Sequence, residues 1–98
     1  MNLEEFKNKL TAEFNDLMEE VKSGNFTAKR GRRIKSDHDN KMGILTLLDF
    51  VKSDETSYAA GNYSDFFFLK EVKAVAEKEN VPVNVDGSKI SFGITPSA

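Results

Sequence analysis

The N-terminal quarter of the chain carries apolar residues at the period of an α-helix. Their spacings of 3, 4, 4, 3 and 4 residues average 3.6, which is the helical repeat. Asn2 precedes this stripe as a candidate N-cap, and Ser23-Gly24 follows it as a stop signal. The pattern therefore predicts one helix over about residues 3–23. The stripe consists of Leu3, Phe6, Leu10, Phe14, Leu17 and Val21.

A second helix is predicted after a stretch without periodicity. Residues 24–36 contain two glycines and a run of basic residues, and we expect them to form a loop. From Ile44 to Val51 the apolar residues become dense and again follow a helical face. This pattern predicts a helix over about residues 38–52.

A third helix is predicted over about residues 65–79. Leu69, Val72 and Ala76 share one helical face, and Pro82 lies just beyond the end of the pattern, where it cannot continue a helix. The residues before it, 53–63, are rich in turn-forming side chains, and no regular element is predicted there.

The C-terminal residues have the alternating pattern of a β-hairpin. Two runs of alternating apolar and polar residues, 81–85 and 88–94, flank Asp86-Gly87. An Asp-Gly pair between such runs is a strong hairpin signal, because both turn residues need a positive φ.

The register of this hairpin follows from the position of its turn. A two-residue loop at Asp86-Gly87 places Val83 opposite Ile90, with the apolar residues of both strands on one face. Pro82 cannot donate a hydrogen bond to the ladder, so its strand is expected at the edge of a sheet. Two strands alone are marginal in water, so this face must pack on the helices or a third strand must join.

The elements together predict an α+β fold of three helices and a C-terminal antiparallel hairpin. The chain has 98 residues, of which 39% are hydrophobic and 31% are charged, a composition typical of one globular domain and not of a disordered chain. We expect a single domain over residues 1–98, with a frayed tail at 95–98.

Composition and motif content exclude several classes of function. The chain has no Cys, which removes disulfides, thiolate metal sites and a Cys nucleophile. His38 is the single imidazole, and its flanking Asp37 and Asp39 point to other sides of any helix or strand, so we assign it no catalytic or metal role. Phosphate-binding glycine loops and hydrolase motifs are absent. We therefore expect a protein that is not an enzyme and has no cofactor or bound metal.

Hydropathy argues against membrane insertion. The longest apolar runs have at most five residues, far below the roughly 20 that span a bilayer. No charged-then-apolar segment typical of a secretory signal opens the chain, so a cytoplasmic location is expected.

The net charge of -2 conceals a strong segregation of charge. Residues 29–35 carry five basic side chains and no acidic one, whereas the residues on both sides are acidic. Arginine side chains can bind a phosphate or a carboxylate through two hydrogen bonds. Gly31, which has no side chain, lets the backbone approach a ligand closely. The same cations can instead pair with acidic residues of this chain or of a second copy. The candidate binding residues are Lys29, Arg30, Arg32, Arg33 and Lys35.

Three consecutive phenylalanines, 66–68, form a second unusual feature. Successive helix residues lie about 100° apart, so the three rings cannot share one face. Phe68 fits the core face, which leaves Phe66 and Phe67 to pack elsewhere in the domain or to join an interface with Tyr58 and Tyr63, including that of a homodimer.

The favoured function is that of a small binding or regulatory protein. Its basic segment would engage an anionic partner, either nucleic acid or the acidic surface of a protein. The alternative is a small inhibitor or adaptor that covers the functional surface of a host enzyme complex, as phage-encoded anti-CRISPR proteins do, a comparison based on size and the lack of catalytic motifs alone. A winged-helix-like DNA reader ranks lower, because the third helix balances its lysines with glutamates.

Overall fold

The computed structural model describes residues 1–24, 37–59 and 67–94. Within these ranges the chain forms four helices and three strands, which confirms the predicted α+β class. The helices are α1 (Leu3–Glu13), α2 (Asn15–Ser23), α3 (Asp37–Lys52) and α4 (Phe67–Lys78), and the strands are β1 (Ser57–Ala59), β2 (Val83–Asp86) and β3 (Lys89–Phe92). The predicted tail at 95–98 lies outside the described residues.

The predicted helix over 3–23 is divided at Phe14. This residue has φ -109° and ψ 16°, outside the usual helical values, so α1 ends before it and α2 begins after it. Backbone hydrogen bonds nevertheless continue across the junction, from Phe14 to Leu10 and from Met18 to Phe14, each at 3.0 Å. No proline or glycine interrupts this junction, and the apolar pattern runs through it unchanged. All six residues of the predicted stripe are buried.

The ends of the helices follow capping rules. Asn2 caps α1 as predicted: its side chain accepts a hydrogen bond from the backbone N–H of Glu5, and the Glu5 side chain accepts one from the Asn2 backbone. At the end of α2, Gly24 adopts a left-handed conformation with φ 77° and ψ 5°.

The end of α4 has the hydrogen bonds of a Schellman motif. The backbone N–H of Val81 donates to the carbonyl of Ala76 at 2.8 Å, and that of Asn80 donates to Glu77 at 3.1 Å. Asn80 supplies the left-handed conformation, with φ 58°. Val81 and Ala76 are both buried, so the motif also directs the chain from α4 toward the sheet.

The predicted hairpin is present, but its register differs by two residues. Val83 lies opposite Phe92 and not opposite Ile90, because the two-residue loop is Gly87-Ser88 and not Asp86-Gly87. Gly87 has φ 62°, and glycine is preferred at the first central position of a type II′ turn. A shift of two residues keeps every side chain on its predicted face, so the apolar face is as expected.

A third strand, β1, joins the sheet in the region predicted to be turn-rich. It pairs antiparallel with β3, with Tyr58 opposite Ile90, which gives the strand order β1-β3-β2. Within the described residues β2 is therefore an edge strand of this sheet, as the neighbouring Pro82 indicated. Three residues of β1, only one of them large and apolar, are too few for an alternating pattern to be visible in the sequence.

The core lies between one face of the sheet and the helices. Tyr58, Ile90 and Phe92 form the inner face of the sheet and pack against Phe6 of α1 and Phe50 of α3. The outer face carries Ser57, Ala59, Asn84, Asp86, Lys89 and Ser91. One covered face and one polar face are typical of a small antiparallel sheet.

Candidate functional site

The predicted binding residues at 29–35 lie outside the described residues. Their position in the chain is nevertheless defined by the elements on both sides, because α2 ends at Ser23 with Gly24 as its C-cap, and α3 begins at Asp37. The two helices pack against each other. The basic segment therefore connects the C-terminal end of α2 to the N-terminal end of α3.

Most of the charged residues that the structure describes next to this connection are acidic. The last two turns of α2 contain Glu19, Glu20 and Lys22, and the side chains of Glu19 and Lys22 form an ion pair of 3.5 Å. Both partners are well exposed, at 62% and 48% of their side-chain surface, so this pair contributes little to stability.

The predicted aromatic interface is only partly covered by the structure. Tyr63 and Phe66 lie outside the described residues, and Phe67 is the first residue of α4, where only its backbone is described. Tyr58 is buried, with 9% of its surface exposed, and its ring centroid lies 4.8 Å from that of Phe50 and 6.2 Å from that of Phe92. The structure thus places Tyr58 in the core, and its part in an interface stays a prediction.

The hydroxyl of Tyr58 has an unusual environment. It is buried and has no hydrogen-bond partner within the part of the chain that the structure describes. Burial raises the pKa of this phenol well above its usual value. A buried hydroxyl without a partner costs free energy, since it has given up its hydrogen bonds to water.

We expect Tyr58→Phe to stabilise the protein by up to about 1 kcal/mol, because it removes that unpaired hydroxyl while keeping the ring. Urea denaturation at pH 7 measures the change. Above pH 10 the gain should grow, because the folded state holds the phenolic proton more tightly than the unfolded state, and the wild-type protein loses stability as pH rises. A loss of more than about 1 kcal/mol at pH 7 would mean that the hydroxyl has a partner.

His38, the single imidazole, lies in the first turn of α3, and its side chain is outside the description. Among the described side chains, no three His, Cys, Asp or Glu residues come close enough to hold a metal ion. In the same residues, no helix combines the length and the apolar composition needed to cross a membrane.

A first groove separates the end of α1 from the second half of α4. It has a volume of about 420 Å³, and its apolar lining includes Ala12, Phe14, Ala74 and Val75. The charged residues of its lining carry both signs, so the groove favours neither an anionic nor a cationic ligand. These residues are Lys9, Glu13, Glu71, Lys78 and Glu79.

A second groove, of about 550 Å³, lies between the first turns of α1 and the end of α3. Lys7 is part of its wall and is the one charged side chain in the described core, with 6% of its surface exposed. Its ammonium donates a hydrogen bond to the backbone carbonyl of Ser53 and lies 4.4 Å from the centre of the Phe50 ring. Burial lowers the pKa of Lys7, an effect that nearby Asp54 and Glu55 partly offset.

The burial of Lys7 was not predicted, although the sequence contains a signal for it. Lys7 lies four residues after Leu3 and three before Leu10, so it continues the apolar face of α1. A long lysine stem can cover apolar surface while its ammonium reaches a polar partner, here the first carbonyl beyond α3.

Comparison of the chain with protein-family models, with curated proteins and with solved structures finds no match.

Proposed function

We propose that this chain is a non-enzymatic binding protein that engages an anionic partner through residues 29–35. One observation carries the proposal: five of the 14 basic residues lie in these seven positions, without an acidic residue among them. That leaves nine basic residues to balance 16 acidic ones, a net charge of -7 outside the segment. Such a concentration of one sign of charge favours contact with an anion at this segment alone.

The side-chain chemistry of the segment supports phosphate as the group recognised. Arg30, Arg32 and Arg33 each present a planar fork of donors that matches two oxygens of a phosphate, while Lys29 and Lys35 add point charges. Nucleic acid offers such groups at regular intervals, so it is the first partner class to test. The proposal includes a cytoplasmic location, where nucleic acid is abundant.

The acidic residues outside the segment favour binding at the basic segment alone, and not contacts spread over the rest of the protein surface. Charges separated by more than the Debye length, about 8 Å at physiological salt, are largely screened. A nucleic acid held by the segment is therefore attracted locally, while the surfaces of α1 and α2, rich in carboxylates, do not add further contacts. The number of phosphates bound should accordingly be close to the number of basic residues in the segment.

The test is the salt dependence of binding to a fluorescein-labelled 20-nucleotide single strand, measured by anisotropy. With about five phosphates neutralised, the slope of log K against log salt should lie between about -3.5 and -4.5. The triple variant R30A/R32A/R33A should weaken binding at least tenfold at 50 mM salt. A matched control, K70A/K73A/K78A, removes the same charge from exposed positions of α4 and should change affinity less than twofold.

Two results would contradict this form of the proposal. One is no binding at low salt, and the other is an equal loss in both triple variants, which would show a response to net charge only. Poly-glutamate as a second probe tests the acidic protein surface: binding to it that depends on the same three arginines, without binding to the oligonucleotide, assigns a protein partner and supports the inhibitor or adaptor role.

A further inference from the structure

The edge of the sheet formed by β2 has a free side within the described residues. β2 pairs with β3 on one side, and no described strand pairs with it on the other. Unpaired edges of this kind are templates for the addition of another strand. Which backbone groups such a strand would meet follows from the hydrogen-bond pattern of the hairpin.

Every second residue of β2 directs its backbone groups away from β3. The N–H of Gly93 donates to the carbonyl of Pro82 at 2.8 Å. The backbone groups of Pro82, Asn84 and Asp86 therefore point toward β3. Phe92, opposite Val83, instead directs its N–H to Thr56 on the β1 side, at 2.9 Å. The N–H and C=O groups of Val83 and Val85 therefore point out of the sheet at the free edge.

The side chains at this edge are apolar and incompletely covered. Val83 and Val85 lie on the inner face with Ile90 and Phe92, but Val83 is only half-buried and Val85 is 39% exposed. Val85 and Met1 are the two large apolar side chains that remain exposed among the described residues. The partly exposed side chains of Val83 and Val85 therefore lie at the same edge as the outward-pointing N–H and C=O groups of these two residues.

We propose that β2 pairs antiparallel with β2 of a second copy of this chain, about a two-fold axis at Asn84. In this register Val83 lies opposite Val85 of the partner subunit, and the reverse pair is equivalent by symmetry. The outward N–H and C=O groups of both valines are then all paired, four hydrogen bonds in total. The two three-stranded sheets become one six-stranded sheet with the helices of both copies on the same side.

Charge and proline placement favour a second copy in this register. Each Asp86 lies opposite Pro82 of the partner subunit, so the two Asp86 carboxylates are four residues, about 13 Å, apart along the strands. That exceeds the Debye length of about 8 Å and leaves little repulsion. Pro82 lacks an N–H, but its position faces β3, so the new pairing loses no donor there.

The neighbouring register is less favourable. An axis at Val85 would place Val83 opposite Gly87 of the partner subunit, within the hairpin turn, and would bring the two Asp86 residues closer together.

The short edge also limits the affinity of the dimer. Four residues a strand bury less than the roughly 1,200 Å² of a standard interface, so the dimer should form at high micromolar concentrations.

Because the chain has no Cys, single cysteine variants report the register directly. Asn84→Cys places two thiols opposite each other at the axis and should give a disulfide-linked dimer within minutes under a mild oxidant at 100 µM. Asp86→Cys, whose two thiols lie about 13 Å apart in the proposed register, should cross-link at least tenfold more slowly. Ala59→Cys, exposed on the opposite edge strand β1, reports random collision. Equal rates for all three variants would overturn the proposal.

Sedimentation velocity between 10 µM and 1 mM tests the same interface without cysteines. The wild-type protein should shift from monomer to dimer over this range. Val85→Lys adds a charge at the free edge and should weaken the dimer at least tenfold, whereas Ala59→Lys adds it at the β1 edge and should not. A wild-type protein that stays monomeric at 1 mM, or a dimer unaffected by Val85→Lys, would refute pairing of two copies through β2.

Discussion

Replacement of Phe92 by alanine is expected to lower the free energy of unfolding by about 3–5 kcal/mol, because its ring joins elements from both ends of the chain. Phe92 of β3 is 4% exposed, and its ring centroid lies 5.0 Å from that of Phe6 and 5.3 Å from that of Phe50. Alanine would leave a cavity among α1, α3 and the sheet. Aromatic pairs of this kind also contribute beyond their buried area.

Urea denaturation followed by circular dichroism measures this loss of stability. In a thermal scan the Tm should decrease by more than about 12 °C, because each kcal/mol lowers the Tm by about 4–8 °C. Phe92→Leu, which keeps most of the volume, should cost markedly less than Phe92→Ala. Val85→Ala on the exposed part of the same face serves as the matched control and should change stability by less than about 0.5 kcal/mol. A cost below about 1 kcal/mol for Phe92→Ala would contradict the arrangement of the core.

The burial of Phe92 illustrates why the faces of the elements were predictable from the sequence. A side chain's face depends only on its spacing from its neighbours, two residues in a strand and 3.6 in a helix. The stripe from Leu3 to Val21 was therefore correct along its whole length, although the helix is interrupted at Phe14. The face of the hairpin was also correct, although its register was wrong by two residues.

The register and the third strand depend on interactions that spacing does not reveal. Asp86-Gly87 and Gly87-Ser88 both offer glycine to the turn, so the local sequence alone does not distinguish the two loops, and in the folded chain Asp86 is paired with Lys89 across the strands. β1 forms because β3 presents a free edge to residues 57–59, which is a property of the folded sheet and not of those three residues.

For the candidate binding site, the sequence predicts which charged residues are present but not the contacts that they make. The five cations of residues 29–35 are evident in the sequence, but the number of phosphates or carboxylates that they meet depends on a partner. The free edge of β2, in contrast, became visible only once the strand order was known. The buried Lys7 lies between these cases: its position on the apolar face of α1 was visible, but its polar partner, the carbonyl of Ser53, is 46 residues away in the chain.

Lys7→Ala is expected to lower the free energy of unfolding by about 2–4 kcal/mol. The substitution removes a buried stem and leaves the carbonyl of Ser53, just beyond the C-terminal end of α3, without its donor. An ammonium at this position also interacts favourably with the negative end of the helix dipole. Lys7→Met keeps the stem but loses the ammonium and its contact with the Phe50 ring, so it should cost about 1–2 kcal/mol.

Lys9→Met is the matched control, because Lys9 lies on the same helix and is exposed. Its cost should stay within about 0.5 kcal/mol. If Lys7→Met is no more destabilising than Lys9→Met, the hydrogen bond to Ser53 and the contact with Phe50 contribute nothing measurable.

The pH dependence of the difference between wild-type protein and Lys7→Met separates the charge of Lys7 from its packing. Burial lowers the pKa of Lys7 in the folded state below its ordinary value of 10.5, so the unfolded chain binds the proton more tightly. As pH rises through the folded pKa toward 10.5, the wild-type protein should therefore gain stability relative to Lys7→Met. Tyr58 acts in the opposite direction at alkaline pH but is present in both proteins, so its effect cancels. A difference that falls with pH would mean that Asp54 and Glu55 outweigh desolvation and that the folded state favours the charged lysine.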